Sequence, residues 1–180
     1  MSSEVQNGRA AAPTDRFGRV LHAGCRVVAA IGGTLLAAAG VMTVASVLGR
    51  YLFSAPIPGD FELVELSSAL AVFSFLPWCQ MVHGNVLVDF FTAGAPPRVR
   101  AALDGIGALA LAAIGMLLVW RMSVGGLELK RIGEQTVLLQ IPRYLAFYPI
   151  LACLALLVLV SAYTCWTGLA VAARGGRSGR

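Results

Sequence analysis

The run YLAFYPILACLALLVLVSAYTCWTGLAVAA, residues 144–173, decides the fold of this chain because it contains no charged side chain. A helix crosses the hydrocarbon core of a bilayer with about 20 apolar residues, so this run is long enough to span it once. Three further apolar runs precede it, at residues 27–49, 63–82 and 101–120. Backbone amides find no water inside a bilayer, so such runs form helices. We therefore predict an all-α membrane protein with four transmembrane helices.

The composition leaves little room for a soluble domain. Hydrophobic residues make up 58% of the chain and charged residues 13%, about half the charged fraction of soluble proteins. We expect a disordered N-tail at residues 1–12, a four-helix transmembrane domain at residues 13–173 and a basic C-tail at residues 174–180. The four cysteines have no CxxC spacing, which favours packing roles over disulfides or metal ligation.

The basic residues predict the orientation of the helices. Nine of the 14 Lys and Arg residues lie in the two tails and the middle connection, and five lie in the first and third connections. Lys and Arg are enriched on the cytoplasmic side, so both termini are expected in the cytoplasm. The net charge of +5 then indicates topology and phospholipid contact, not nucleic acid. The first apolar run is longer than the apolar part of a secretion signal, so we interpret it as a retained span.

The segment before the first span has an apolar stripe at helical spacing. Pro13 offers a helix start, and Phe17, Val20, Leu21 and Val28 follow on one face. One interpretation is a basic amphipathic helix that lies on the cytoplasmic lipid surface. The other is that these residues are the frayed, solvated start of the first span. Both interpretations remain open from the sequence.

The first connection carries the strongest polar signal in the chain. Prolines and a glycine between residues 54 and 60 forbid a continuous helix, so the chain turns and re-enters the membrane as an antiparallel neighbour. This turn places Arg50 level with Glu62 and Glu65. A charge at mid-bilayer costs about 2.5–3.5 kcal/mol and less near an interface, so these carboxylates should have a partner. We expect a pair with Arg50 that fixes the hairpin or docks another subunit; the alternative is two carboxylates that face water.

The third connection is expected to be a loop over residues 121–143. It is mixed in charge, with Glu128, Lys130, Arg131 and Glu134. Connections of this length are uncommon in compact proteins and are usually functional.

No catalytic or cofactor-binding constellation is recognisable. The two histidines, His22 and His83, both fall at the predicted cytoplasmic surface and outside the spans, which disfavours haem ligation inside the bundle. The first and last apolar runs contain no Asp or Glu, so the chain alone is poorly equipped to move a charged solute. We predict that it is not an enzyme and has no cofactor.

Three short stretches resemble a known family. They are Arg50-Tyr51-Leu52-Phe53 followed by Pro56-Ile57-Pro58-Gly59 and Glu62-Leu63; His83-Gly84 with Val88-Asp89; and Leu139-Gln140-Ile141-Pro142 leading into Tyr144 and Tyr148. In order, spacing and four-span frame, over about residues 27–168, they resemble the small membrane subunit (the DctQ-type, or Q, subunit) of tripartite ATP-independent periplasmic (TRAP) transporters. The sequence differs from many members at Gly59-Asp60, where an aromatic or hydroxyl residue is frequent, so the local cap geometry is open.

The resemblance implies a division of labour. A periplasmic solute-binding protein captures the solute, often an organic acid anion, and a large multi-span membrane subunit carries the solute and sodium sites. The small subunit is a scaffold beside it in the bacterial inner membrane, in contact with lipid. The candidate structural or subunit-interface residues are Arg50, Glu62, Glu65, Trp78, His83 and Asp89. The candidate loop residues for docking the binding protein are Glu128, Lys130, Arg131 and Glu134.

A self-contained small transporter that works as a homodimer of four-helix chains is the alternative. Multidrug exporters of that kind depend on a membrane-embedded glutamate in the first helix. Residues 27–49 contain no such glutamate, which favours the scaffold subunit.

Overall fold

The computed structural model describes residues 16–54, 57–82 and 97–174, with side chains up to residue 167 apart from 97–102 and 104. These residues form four helices: α1 Arg16–Phe53, α2 Asp60–Met81, α3 Pro97–Ile132 and α4 Tyr144–Arg174. Each helix contains a stretch long and apolar enough to cross a membrane, which confirms the four predicted spans. The N-tail, His83, Asp89 and the C-tail beyond residue 174 lie outside the described residues.

The helices pack side by side in the order α1, α2, α4, α3. Helix α1 packs on α2, α2 packs on α4, and α4 packs most extensively on α3, while α1 touches α4 only lightly. Two helical hairpins therefore meet through α2 and α4. In the most apolar stretch of α1 only 11% of the residues are buried, against 33% in α4. The helices at the two edges of the row thus leave most of their apolar surface uncovered.

The seam between α1 and α2 is built from small residues at heptad spacing. The buried positions of α1 include one residue in every seven: Gly18, Cys25, Gly32, Ala39 and Ser46. Small residues let two helix backbones approach closely, and a seven-residue period keeps one seam facing the partner. At Gly32 the approach is so close that an added Cβ would lie 2.6 Å from Cβ of Ser74. This seam fixes the hairpin that carries the first connection.

Helix α4 is the central helix of the bundle. Its buried residues Ile150, Leu154 and Leu157 pack between the other hairpin and α3. The partners on α2 and α3 are Ala69, Leu70, Phe73, Leu111, Leu118, Val119 and Met122. An added Cβ at Gly115 of α3 would lie 2.9 Å from Val158 of α4, so these two helices also approach closely.

The first turns of α1 belong to the bundle. Leu21 and Cys25 are buried with Met81 and Val160 in a cluster that joins α1, α2 and α4. The His22 ring lies 5.0 Å from the Trp78 ring, between centroids. The structure therefore shows residues 16–26 as the start of one helix that continues into the span. Trp78 is a packing residue at this end of the bundle.

Helix α3 is longer than the sequence analysis expects. It continues past residue 120 to Ile132, so the connection to α4 covers only residues 133–143. No proline interrupts this stretch, and the helix ends at Gly133, whose φ of 70° is left-handed. The amides of Gly133 and Glu134 both donate to the carbonyl of Leu129, at 3.0 and 3.3 Å, a glycine-dependent helix ending. The expected long loop is thus corrected: Glu128, Lys130 and Arg131 lie on a helix, and only Glu134 lies in the loop.

Candidate functional site

One end of the bundle is closed by a cap, which we define as residues 57–59, the first turns of α2 at residues 60–65, and the α3–α4 loop at residues 133–143. Glu62 is its central residue. The Glu62 carboxylate accepts hydrogen bonds from the backbone amides of Leu138 at 2.7 Å and Leu139 at 3.0 Å. Thr136 and Val137 add a smaller electrostatic stabilisation of the same carboxylate. Because hydrogen bonds to an ionised acceptor are the stronger class, Glu62 holds the loop onto α2.

Asp60 locks the other side of the cap. Its carboxylate accepts a hydrogen bond from the Ser46 hydroxyl at 2.6 Å and one from the Phe61 amide at 2.8 Å. The Ser46 oxygen in turn accepts a hydrogen bond from the Ile57 amide at 3.3 Å. Asp60 and Ser46 are both buried, and Asp60 is the first residue of α2, where the helix dipole favours an anion. The end of the α1 seam is thereby tied to the turn and to the start of α2.

Gly59 explains why the connection needs a glycine before Asp60. Its φ of 79° lies in the left-handed region, and an added Cβ would lie 2.6 Å from Cγ of Leu139. The Leu139 side chain thus closes directly over the turn. From the sequence alone the geometry at Gly59-Asp60 was undecided. In the structure Gly59 forms the turn and Asp60 supplies the buried carboxylate.

The ion pairs differ from the expected ones. Arg143, the last residue before α4, lies 3.9 Å from Glu65 and 3.6 Å from Glu134. Over the described part of the chain Arg50 forms no ion pair with Glu62 or Glu65, so the pairing expected for it is wrong. Arg50 is exposed and acts on Asp60 only through longer-range attraction. The loop folds back over α2. Its backbone amides bind Glu62 and its Arg143 lies near Glu65, so the loop takes the place in which Arg50 was expected.

The loop also stabilises itself. Thr136 and Ile141 face each other: the Thr136 amide donates to the Ile141 carbonyl at 3.0 Å, and the Ile141 amide donates to the Thr136 hydroxyl at 3.0 Å. The Arg143 amide donates to the Glu134 carbonyl at 3.1 Å. The loop is therefore a short hairpin-like turn whose tip points Val137 and Leu138 outward, 87% and 64% exposed.

The structure brings only some of the predicted residues into the cap. Glu62, Glu65 and Glu134 belong to it, whereas Trp78 lies near the opposite end of the bundle. Glu128 and Arg131 are exposed on the last turns of α3. Lys130 lies 5.9 Å from the centre of the Tyr144 ring, a cation–π contact between α3 and α4.

Four residues that form or hold the cap escaped the sequence analysis as functional candidates: Ser46, Asp60, Leu139 and Arg143. For Ser46 and Asp60 a signal exists, since Ser46 continues the heptad of small residues and Asp60 opens a helix. Leu139 and Arg143 carry no local signal of their contacts. Chemically the cap offers hydrogen-bonded carboxylates that hold a loop in place. Among the residues that the structure describes, no three His, Cys, Asp or Glu side chains form a cluster that could hold a metal ion.

The comparison with known families agrees with this arrangement. The model of the DctQ component of tripartite ATP-independent periplasmic transporters matches residues 39–171. This range includes the whole cap and well over half of the chain. No curated protein and no solved structure matches the chain significantly. A four-helix membrane chain matched over this range belongs to the DctQ family, the small membrane subunits of TRAP transporters.

Proposed function

We propose that this chain is the scaffold subunit of a TRAP-type secondary transporter in a bacterial inner membrane. It binds a large multi-span membrane subunit, and that subunit moves an organic-acid-like solute that a periplasmic binding protein delivers. A sodium gradient drives the import. The family match over residues 39–171 is the observation that carries the proposal.

The packing order supports a scaffold role. Helix α1, at one edge of the row, has 38 residues, about 57 Å at 1.5 Å per residue, which exceeds a bilayer core of about 30 Å. Large apolar side chains stay exposed along it: Val20, Val27, Ile31, Leu35, Val41, Val44 and Leu48. An edge helix of this length offers a second membrane protein a continuous apolar surface. The apolar runs of α1 and α4, residues 27–49 and 144–173, contain no Asp or Glu that could bind a transported ion.

The cap and the end of α3 support a docking role on the periplasmic side. By the charge distribution this end of the bundle faces the periplasm. Glu128, Lys130, Arg131 and Glu134 present charges of both signs there, and all four are exposed. Charges of this kind at the rim of an interface guide a soluble partner and set its orientation more than they add affinity. In this proposal they receive the binding protein.

The test is to tag the chain, extract native membranes in mild detergent and identify co-purifying proteins by mass spectrometry. We expect a stoichiometric membrane protein with about a dozen spans, as the resemblance implies. A chain that emerges alone or as a homodimer, from membranes that contain the large subunit, contradicts the scaffold role. Solute flux through the purified chain would then test the homodimeric transporter.

A further inference from the structure

The tip of the α3–α4 loop is apolar and exposed. Val137 and Leu138 are two large aliphatic side chains at 87% and 64% exposure. The next residue, Leu139, is less exposed, at 37%, and packs against Gly59. The tip is held at its base by Glu62 through the amides of Leu138 and Leu139. Its outward side chains are therefore displayed by a fixed backbone.

Most of the backbone donors of this loop have hydrogen-bond partners within the chain. Five amides donate to partners inside the cap: Thr136 to Ile141, Leu138 and Leu139 to Glu62, Ile141 to Thr136, and Arg143 to Glu134. The amides of Gly133 and Glu134 donate to the Leu129 carbonyl, and Pro142 has no amide hydrogen. In water a loop gains little from such internal hydrogen bonds because water satisfies free amides. Near the hydrocarbon region every free amide is costly, so the arrangement suits a loop that leaves water.

Exposed aromatic side chains lie at the same end of the bundle as the tip. Aromatic side chains collect at membrane–water interfaces. Phe61, which immediately precedes Glu62, is 73% exposed, and Tyr148 in the second turn of α4 is 57% exposed. On α3 the exposed apolar stripe continues through Trp120, Val124 and Leu127. Exposed apolar and aromatic side chains of α2, α3 and α4 thus extend towards the end of the bundle that carries the tip.

We propose that Val137 and Leu138 insert into the headgroup region of the outer leaflet, so that the tip anchors the cap to phospholipid. The exposed Lys130 at the same end of the bundle suits this surface, because its charge can pair with the phosphate groups of lipids. Glu62 is the positioning residue of this anchor, since its carboxylate binds the tip amides. The anchor concerns contact with lipid and goes beyond the role of the chain as a subunit.

The test is a nitroxide label at Val137, introduced as V137C in the full-length chain with its four native cysteines replaced by alanine. The labelled chain, with whatever large subunit co-purifies, is reconstituted in nanodiscs of phosphatidylethanolamine and phosphatidylglycerol. Collision with oxygen and with a water-soluble nickel chelate is then measured. Labels at Leu109, on the exposed apolar face of α3, and at Glu128, an exposed charged position, are the lipid and water references.

We expect an oxygen-to-nickel ratio at Val137 that is severalfold above that at Glu128 and close to that at Leu109. Nickel access equal to that at Glu128 places the tip in water and overturns the proposal. A label shielded from both reagents, with the large subunit or the binding protein present, places the tip against protein and also overturns it. Because the label measures lipid contact at one residue, it remains informative when no large subunit co-purifies, and the two proposals fail separately.

Two variants of similar shape, each of which removes one negative charge, test the positioning role of Glu62 in the same labelled chain. Glu62→Gln replaces one accepting oxygen by a donor and removes one of the two tip hydrogen bonds. It should raise nickel access at Val137 at least twofold. Glu65→Gln, which affects only the long contact with Arg143, should leave it unchanged. An unchanged Val137 signal in Glu62→Gln would show that this carboxylate does not hold the tip in the membrane.

Discussion

The Ser46 hydroxyl donates a hydrogen bond of 2.6 Å to the Asp60 carboxylate, and both residues are buried. The bond joins the last residue of the small-residue seam in α1 to the first residue of α2. The same serine oxygen accepts the Ile57 amide. The Ser46 hydroxyl therefore connects the α1–α2 interface to the turn and to the start of α2. Its two partners, Ile57 and Asp60, belong to the cap.

Ser46→Ala should lower the midpoint of thermal unfolding by several degrees. The substitution leaves a buried carboxylate and the Ile57 amide without this partner, and unsatisfied buried polar groups are costly. Thr34→Ala is the matched control, since the exposed Thr34 hydroxyl only bonds to the Ala30 carbonyl of its own helix. The measurement is thermal unfolding of both variants in the same detergent. Equal midpoints would mean that the Ser46–Asp60 bond contributes nothing.

Gly32→Ala should destabilise the α1–α2 hairpin. The new Cβ would meet Ser74 at 2.6 Å, and overpacking of a tight interface costs about 1–3 kcal/mol. Gly40→Ala is the control, because nothing lies within 4 Å of its added Cβ. Both variants gain the same helix propensity, so the difference in their unfolding free energies isolates the contact. A Gly32→Ala variant as stable as Gly40→Ala contradicts the close seam.

Gly59→Ala should be more destabilising than Gly133→Ala. Both glycines have left-handed φ angles, 79° and 70°, so both variants bear the backbone cost of about 1–2 kcal/mol. Only Gly59 has a neighbour in the way, the Leu139 side chain, whereas Gly133 has open space. The measurement is the unfolding free energy of each variant.

The double variant Gly59→Ala/Leu139→Ala tests the cause. Shortening Leu139 removes the clash, so the second substitution should cost less in the Gly59→Ala background than in the native chain. Additive effects of the two substitutions would show that Leu139 does not close over the turn.

Glu62→Gln should accelerate amide exchange in the loop. Leu138 and Leu139 donate to this carboxylate at 2.7 and 3.0 Å, and a carboxamide can accept with one oxygen only. Hydrogen–deuterium exchange of a peptide that covers residues 136–141 should speed up at least severalfold. Glu65→Gln should leave that peptide unchanged, and an equal effect of both variants would argue against a specific clamp.

Arg50→Ala should leave the unfolding midpoint unchanged and lower the yield of the complex with the large subunit. Arg50 is exposed, and within the helices and turns described here it forms no ion pair that would hold the chain itself together. Arg121→Ala, which also removes an exposed arginine near the same end, is the control. If Arg50→Ala gives the same yield of complex as the native chain, Arg50 takes no part in the interface with the large subunit.

Much of the fold follows from local sequence. The four apolar runs predict the four helices because a span is a property of about 20 consecutive residues. The heptad of small residues from Gly18 to Ser46 can also be seen in the sequence, although only the packing shows that it is the seam. The end of α3 could be predicted less well, since hydropathy falls after residue 120 while the helix continues to Ile132.

The candidate site shows the limit of the sequence. It indicated that Glu62 and Glu65 need partners, because a carboxylate near a membrane is costly. It could not identify those partners, which lie 76 and 77 residues away for Glu62. The sequence by itself determined the helices and their charged ends, whose causes act along neighbouring residues. The tertiary structure alone decided the row of helices and the loop that binds Glu62, because contacts between distant segments depend on how the two hairpins pack.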